Sequence, residues 1–163
     1  MCSVDGPQRT VVVDETSSRG YEMDVTQQTT TTSDHHWMYR AMKAALDGRP
    51  ELDATARTLG ARPGRDIVVE ESGFVRPGPN GMSVTLDEPR RLPRHRRPRS
   101  LGGEGRDPLF RMCSKTLLPS SLVLRRDEDR PETLHGMLTP AEQCRFTEYQ
   151  TALHSTRPHW EAC

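Results

Sequence analysis

The sequence predicts an α+β domain preceded by a segment that does not fold, and three observations carry that reading. Only 33% of the 163 residues are hydrophobic and 5% aromatic, enough apolar surface for one small domain and less than a soluble domain of this length usually holds. After Trp37 the apolar residues come in short runs cut by glycine and proline, the pattern of strands joined by turns. Near the end, Phe146, Tyr149, Leu153 and Trp160 recur at roughly helical intervals, so the chain closes on a helix. No internal repeat is visible.

The elements follow in order. Residues 1–36 form a Ser/Thr/Gln-rich tract whose one apolar cluster is Val11-Val12-Val13, and whose six acids face only Arg9 and Arg19, a net −4. Such a composition cannot offset the entropy of ordering, so this tail is expected to be disordered. Trp37 opens the folded part, residues 37–163. The segment from Trp37 to Leu46 reads as a strand passing into a helix, stopped by Asp47-Gly48-Arg49-Pro50. Asp66 to Glu70 is a β-branched run of strand type. In Met82-Ser83-Val84-Thr85-Leu86 the apolar residues alternate with hydroxyls, which predicts a strand with one hydroxyl face. Leu109–Met112, Leu122–Arg125 and Leu134–Pro140 read as further strands, and Asp127 to Glu132 as a charged turn. Thr139 or Thr147 offers an N-cap for the final helix.

Charge and motifs narrow the chemistry. Acids and bases balance at 23 each, and no run of 18 apolar residues occurs, which excludes a membrane span. The N-terminus lacks the basic start and apolar stretch of a signal peptide, so the expected location is cytoplasmic, or a target cell into which the protein is delivered. Cys2, Cys113, Cys144 and Cys163 form no CxxC pair, and a disulfide framework is not expected. Cys144, His154, His159 and Cys163 have a histidine spacing that suits zinc but lack a close cysteine pair; zinc is not expected. No phosphate-binding glycine loop, GxSxG turn or HExxH occurs, which removes the common nucleotide triphosphatase, esterase and metalloprotease classes. The segment Arg90 to Arg99 holds six arginines and two prolines. It reads as an extended loop that binds nucleic-acid phosphates, docks to an acidic partner or the chain's own acidic tail, or is simply solvated.

Three quieter residues stand on folded elements: Arg40 after Tyr39, Ser83 on the hydroxyl face of its strand, and His135 on a late strand. Singly, each is more often structural than catalytic. In order, Tyr39-Arg40-Ala41, Gly81-Met82-Ser83-Val84, Leu118-Pro119-Ser120-Ser121-Leu122, His135 and Pro140, followed by a closing helix, the set resembles one family. It is similar to the bacterial type VI secretion effector toxins of ADP-ribosyltransferase-like fold and their fungal relatives, over roughly residues 37–160. The sequence differs from the family at three points. Met82 stands where a hydroxyl residue often precedes the pocket serine. Residues near 90–107 look like an insertion. The late-strand glutamate that many such transferases use has no counterpart nearer than Glu142, beyond Pro140.

The resemblance implies a small ADP-ribosyltransferase-like mixed sheet with flanking helices and a C-terminal helix. It further implies NAD as cofactor, cleavage of its nicotinamide–ribose bond, and transfer to an unknown protein or nucleic-acid acceptor. Tyr39, Arg40, Ser83 and His135 would bind NAD, with Ser83 and His135 catalytic, and a bacterial source would add an immunity protein as partner. A planar guanidinium at Arg40 suits a diphosphate because it donates two parallel hydrogen bonds; its replacement is expected to weaken binding most. Ser83 would hold the ribose, and His135 the ribose hydroxyls or a proton. Two other classes remain open: a nucleic-acid-binding or RNA-cleaving module built on Arg90–Arg99, and a non-catalytic interaction protein with a degenerate transferase fold.

Overall fold

The structure is a computed structural model that describes residues 37–163; the tract 1–36, read above as disordered, lies outside the described residues. The domain is mixed α/β, mostly strands, with one substantial helix at its C-terminal end. The strands are β1 (Trp37–Ala41), β2 (Phe74–Val75), β3 (Met82–Leu86), β4 (Leu109–Cys113), β5 (Leu122–Arg126), β6 (His135–Pro140), β7 (Cys144–Arg145) and β8 (Glu161–Ala162). The helices are α1, a single turn at Ser114–Leu117, and α2 (Phe146–Ser155). Six strands form one sheet in the order β5-β6-β3-β1-β4-β8, and β2 pairs with β7 apart from it.

Every pairing in the large sheet is antiparallel, which corrects the expected mixed sheet. Hairpins and meanders can join such strands through short turns, whereas parallel neighbours need helical crossovers, and among the described residues only α2 exceeds one helical turn. The β-branched run Asp66–Glu70 is also not a strand. Ile67 makes one isolated bridge, to Pro63, because the turn at Arg62–Asp66 is closed instead by Gly64 N–H donating to Ile67 O and Asp66 N–H to Arg62 O. Nor does the first segment continue as a helix after Ala41: Lys43 N–H turns aside to Arg57 O, and Leu46 is fully exposed.

The sheet has two unlike faces, set by the alternation of β3. Met82, Val84 and Leu86 point to the face that also carries Met38, Phe110, Met112 and Leu138, and α2 covers it with Tyr149 and Leu153. These residues are all but fully buried and form the main core. The helix starts where the Glu148 carboxylate accepts from Arg145 N–H at 2.7 Å. It ends where Thr156 Oγ1 donates to Leu153 O at 2.7 Å and itself accepts from Trp160 Nε1 at 3.0 Å. Thr139 and Thr147, expected as caps, do not serve as such; Arg145 occupies the N-cap position.

Two polar bolts tie α2 to the rest. The Tyr149 hydroxyl donates to Leu138 O at 2.6 Å and accepts from Met82 N–H at 3.1 Å, so it joins β6 and β3 where their ladder begins. Burial pushes its phenol well above the ordinary value. Beside it, Gly81 leaves no room for a side chain, since a Cβ there would stand 2.2 Å from Leu138 O. Gln150 clamps Ala61 through both backbone groups, each at 2.9 Å. That contact pins the long connection from β1 to β2, which has almost no regular structure of its own.

Within that connection, Asp66 accepts from Arg62 N–H at 2.8 Å and from its guanidinium at 2.7 Å. Burial alone would raise the Asp66 carboxyl, but these hydrogen bonds outweigh it and hold the group below its ordinary value.

Tyr149→Phe leaves Met82 N–H and Leu138 O without their buried partner, and is expected to cost about 1–3 kcal/mol in urea unfolding at an unchanged m-value. Because the folded-state carboxyl of Asp66 lies below its unfolded value, its stabilisation is present above about pH 4 and is lost as pH falls through the lowered value. Urea midpoints measured from pH 7 down to pH 3 are expected to fall less steeply at the acid end for Asp66→Asn than for the wild type.

Candidate functional site

The second face of the sheet is polar. In an antiparallel sheet directly opposed residues point the same way, and the register sets Glu161 opposite Arg111, Arg111 opposite Tyr39, Tyr39 opposite Thr85, and Thr85 opposite His135. One row thus crosses five strands with an acid, a guanidinium, a phenol, a hydroxyl and an imidazole. Arg111 sits 4.6 Å from the ring centre of Trp37 and 3.6 Å from Glu161. Ser83 lies on the same face two residues from Thr85, opposite Met137.

Part of this face is covered by the arginine-rich segment. Leu92 packs with Ala41 and Leu109, and Leu101 and Tyr39 pack against that small second cluster. The segment is therefore a folded lid, neither extended nor a loose insertion. It contains 3-10 turns at Pro89–Arg91 and Arg99–Leu101. Its two ends close on each other through Glu104 N–H to Arg94 O and Gly105 N–H to Arg97 O, both at 2.8 Å. Gly103 is required at the closure because a Cβ there would meet Arg97 O at 1.9 Å. Prolines at 93 and 98 form turns here: Pro93 O accepts from Arg96 and Arg97 N–H, and Pro98 O from Leu101 N–H.

Between lid and sheet lies a cleft of about 80 Å³, bounded by Tyr39, Ser83 and Thr85 on the strands and by Leu92, Pro93 and Arg96 on the lid. It exists because β1 and β3 stay paired only at Met38↔Leu86 and Tyr39↔Thr85. Beyond that point the Arg40 side chain enters the gap. Its Nη1 donates to Ser83 O at 2.5 Å and to Ser83 Oγ at 3.2 Å, and its Nη2 to Ala56 O at 3.3 Å and Thr58 O at 3.4 Å. The guanidinium replaces the ladder bond that Ser83 O would otherwise make to β1.

Arg40 is 7% exposed. Burial lowers its pKa to about 10, opposed by the negative charge of Asp66 and aided by the neighbouring cations Arg96 and Arg62. It remains charged at neutral pH. All four terminal N–H groups are taken by the protein, and the buried Nε has no partner. Arg40 therefore has no free pair of parallel donors for a diphosphate. Arg96 does: its Nη1 donates to Ala56 O at 2.6 Å, the same carbonyl that holds Arg40, and its other N–H groups make no bond to the described residues. Two guanidiniums anchored on one carbonyl, with no carboxylate in the lining, make the cleft a place for an anion.

Tyr39, Arg40 and Ser83, expected to act together, do meet at this cleft. His135 does not line it; it stands one strand further along the polar row. There its Nδ1 lies 3.1 Å from Asp127 Oδ2, with side-chain exposures of 33% and 10%. Asp127 also receives Arg130 at 3.2 Å. The bond from His135 is the chief cause holding the Asp127 carboxyl below its ordinary value. Asp127 and Arg96 are the residues that sequence reasoning missed. The signal for Asp127 was its place at the head of a turn leading into the His135 strand; Arg96 was hidden among five like neighbours.

The cysteine–histidine set is dispersed over β7, α2, the 157–159 turn and the C-terminal residue, and among the described residues no group of three or more His, Cys, Asp or Glu side chains is placed to hold a metal. No described helix is long and apolar enough to cross a membrane. Comparison with known proteins returns no match among family models, curated proteins or solved structures.

Arg40→Lys keeps the charge but cannot reach three carbonyls at once, because an ammonium on a flexible stem lacks the planar fork. It is expected to lower stability by at least about 2 kcal/mol in chemical denaturation, a loss that precedes and exceeds any change in ligand affinity.

Proposed function

We propose that the chain is an NAD-binding ADP-ribosyltransferase-like toxin domain that cleaves the nicotinamide–ribose bond and modifies a protein or nucleic-acid acceptor. The observation that carries this reading is the cleft where Tyr39, Arg40 and Ser83 converge beneath Arg96, with the Thr85–His135 row running on from it. Its chemistry suits a phosphorylated ribose, since it offers guanidinium donors and three hydroxyls and contains no competing carboxylate. Its volume is well below the roughly 300–1,000 Å³ of sites that enclose a whole small molecule. A dinucleotide therefore places one part in the cleft and the remainder along the half-exposed row.

In this reading NAD supplies the bond to be broken, through a transition state that builds positive charge at the ribose. Arg96 takes the diphosphate with the donors that Arg40 lacks. Arg40 holds Ser83 and the mouth of the cleft in place. The hydroxyls of Tyr39, Ser83 and Thr85 orient the ribose, and lid residues Leu92 and Pro93 exclude water from one side. His135 accepts the proton. Geometry fixed before the substrate arrives is the main contribution such a site makes.

A second reading, binding of a nucleic-acid backbone by the lid, is favoured by a separate observation. Arg99 and Arg106 line an open hollow beside the loop closure, and neither is held in an ion pair among the described residues. That binding would fall steeply with salt.

Calorimetric titration with NAD is expected to give a saturable heat that weakens about tenfold or more in Arg96→Ala, the loss of one charge-assisted bidentate contact, while Arg99→Ala and Arg106→Ala leave it unchanged. A folded wild-type protein that gives no heat with NAD removes the transferase reading, and RNA affinity lost in the Arg99 and Arg106 variants selects the second.

A further inference from the structure

We propose that Asp127 is the positioning residue for His135, and that this pair, standing beside Thr85 at the open end of the polar row, accepts the acceptor's proton in the transfer reaction. The inference rests on the transferase reading for the identity of the reaction; the pairing itself stands on geometry.

The turn from β5 to β6 builds the pair. Asp127 follows Arg126, the last residue of β5, and its N–H donates to His135 O at 2.9 Å. This backbone bond fixes the two residues across the mouth of the turn, so that carboxylate and imidazole meet on one side at 3.1 Å. The turn is further closed by Arg126 Nη2 donating to Pro131 O at 2.7 Å and by Thr133 Oγ1 donating to Arg130 O at 2.7 Å.

An ionised carboxylate only accepts hydrogen bonds, so the proton of this contact sits on His135 Nδ1. Nε2 then carries the lone pair. It makes no hydrogen bond to the described residues, and the side chain is one-third exposed. The neighbouring charged and titratable groups are Asp127 and Arg130 on the turn, Arg126 at the end of β5, Glu132 in the 131–133 turn, and Tyr39 beyond Thr85 in the row. Strand β6 itself, His135–Pro140, bears no carboxylate, and Glu142 is exposed beyond it. In the transferase reading the proton-accepting task falls to the pair.

The step balances. The bond between ribose C1′ and the nicotinamide nitrogen breaks and its electron pair leaves with nicotinamide. The acceptor's nucleophilic atom forms the new bond to C1′ and gives its proton to His135 Nε2, while Asp127 stays ionised and faces the imidazolium. General-base assistance of this kind is worth about 10²–10⁴ in rate.

The test combines nitrogen-15 NMR of the His135 ring in the full chain with NAD turnover. Wild type in alkaline buffer, with the imidazole neutral, is expected to show the Nδ1–H tautomer. Asp127→Asn is expected to shift His135 towards the Nε2–H tautomer and to lower kcat about 10²-fold or more with KM nearly unchanged. A wild-type Nε2–H tautomer, or an unchanged tautomer in Asp127→Asn, overturns the positioning role; the wild-type spectrum decides this even if the variant does not fold. A wild type that binds NAD calorimetrically, with undiminished turnover in Asp127→Asn, overturns the proton-accepting role. Absence of NAD binding is a distinct outcome: it removes the transferase reading and with it the proton-transfer step, while the tautomer still reports on the pair.

Discussion

A single buried guanidinium organises the site side of this domain. Arg40 is the fourth residue of β1, opposite the buried Phe110, and it satisfies its charge with the carbonyls of Ser83, Ala56 and Thr58 instead of a contacting carboxylate. Neutral acceptors suffice because each carbonyl presents its dipole to the cation and because Asp66 lends an opposing charge from nearby. The cost of desolvation is visible in the lowered pKa. What is obtained is geometry: the strands part, the long β1–β2 connection is tied to the middle of the sheet, and a cleft opens where an uninterrupted ladder would have closed it.

The lid makes sense on the same terms. The segment Arg90–Arg99 carries six arginines, yet several of them serve the fold. Arg97 donates to Arg90 O, Arg94 pairs with Glu104 and Arg91 with Glu88. Such exposed pairs contribute little stability; the lid is held by its backbone closure and by Leu92 and Leu101 on the sheet. Arg96 is drawn to the cleft by the Ala56 carbonyl that Arg40 already uses. A residue that seemed one of six in a solvated run thereby becomes part of a cleft wall.

The two faces of the sheet differ in what they carry. The Met82, Val84 and Leu86 face, sealed by Tyr149 and Leu153, supplies the apolar burial on which the domain stands. It leaves the opposite face free to carry hydroxyls, an imidazole and charges that would be expensive in a core. The polar row from Glu161 to His135 is a product of register. A slip of one residue in any strand would send its polar member into the core, so the same constraint that buries the methionines assembles the row.

The sequence alone determined much of this. Alternation in Met82–Leu86 marked both faces of β3, the short apolar runs located β4, β5 and β6 to within a residue or so and the start of β1, and the spacing of Tyr149 and Leu153 placed the final helix; each is a local pattern that a local rule decodes. It also singled out Tyr39, Arg40, Ser83 and His135. Only the tertiary structure decided what they touch. That Arg40 spends its donors on Ala56, Thr58 and Ser83, that Arg96 folds in beside it, that Asp127 holds His135, and that the Asp66–Glu70 run turns instead of pairing all depend on contacts between residues distant in the chain or on a closing turn. No periodicity records such contacts, because a carbonyl oxygen has the same identity in every residue and only folding determines which one comes within reach.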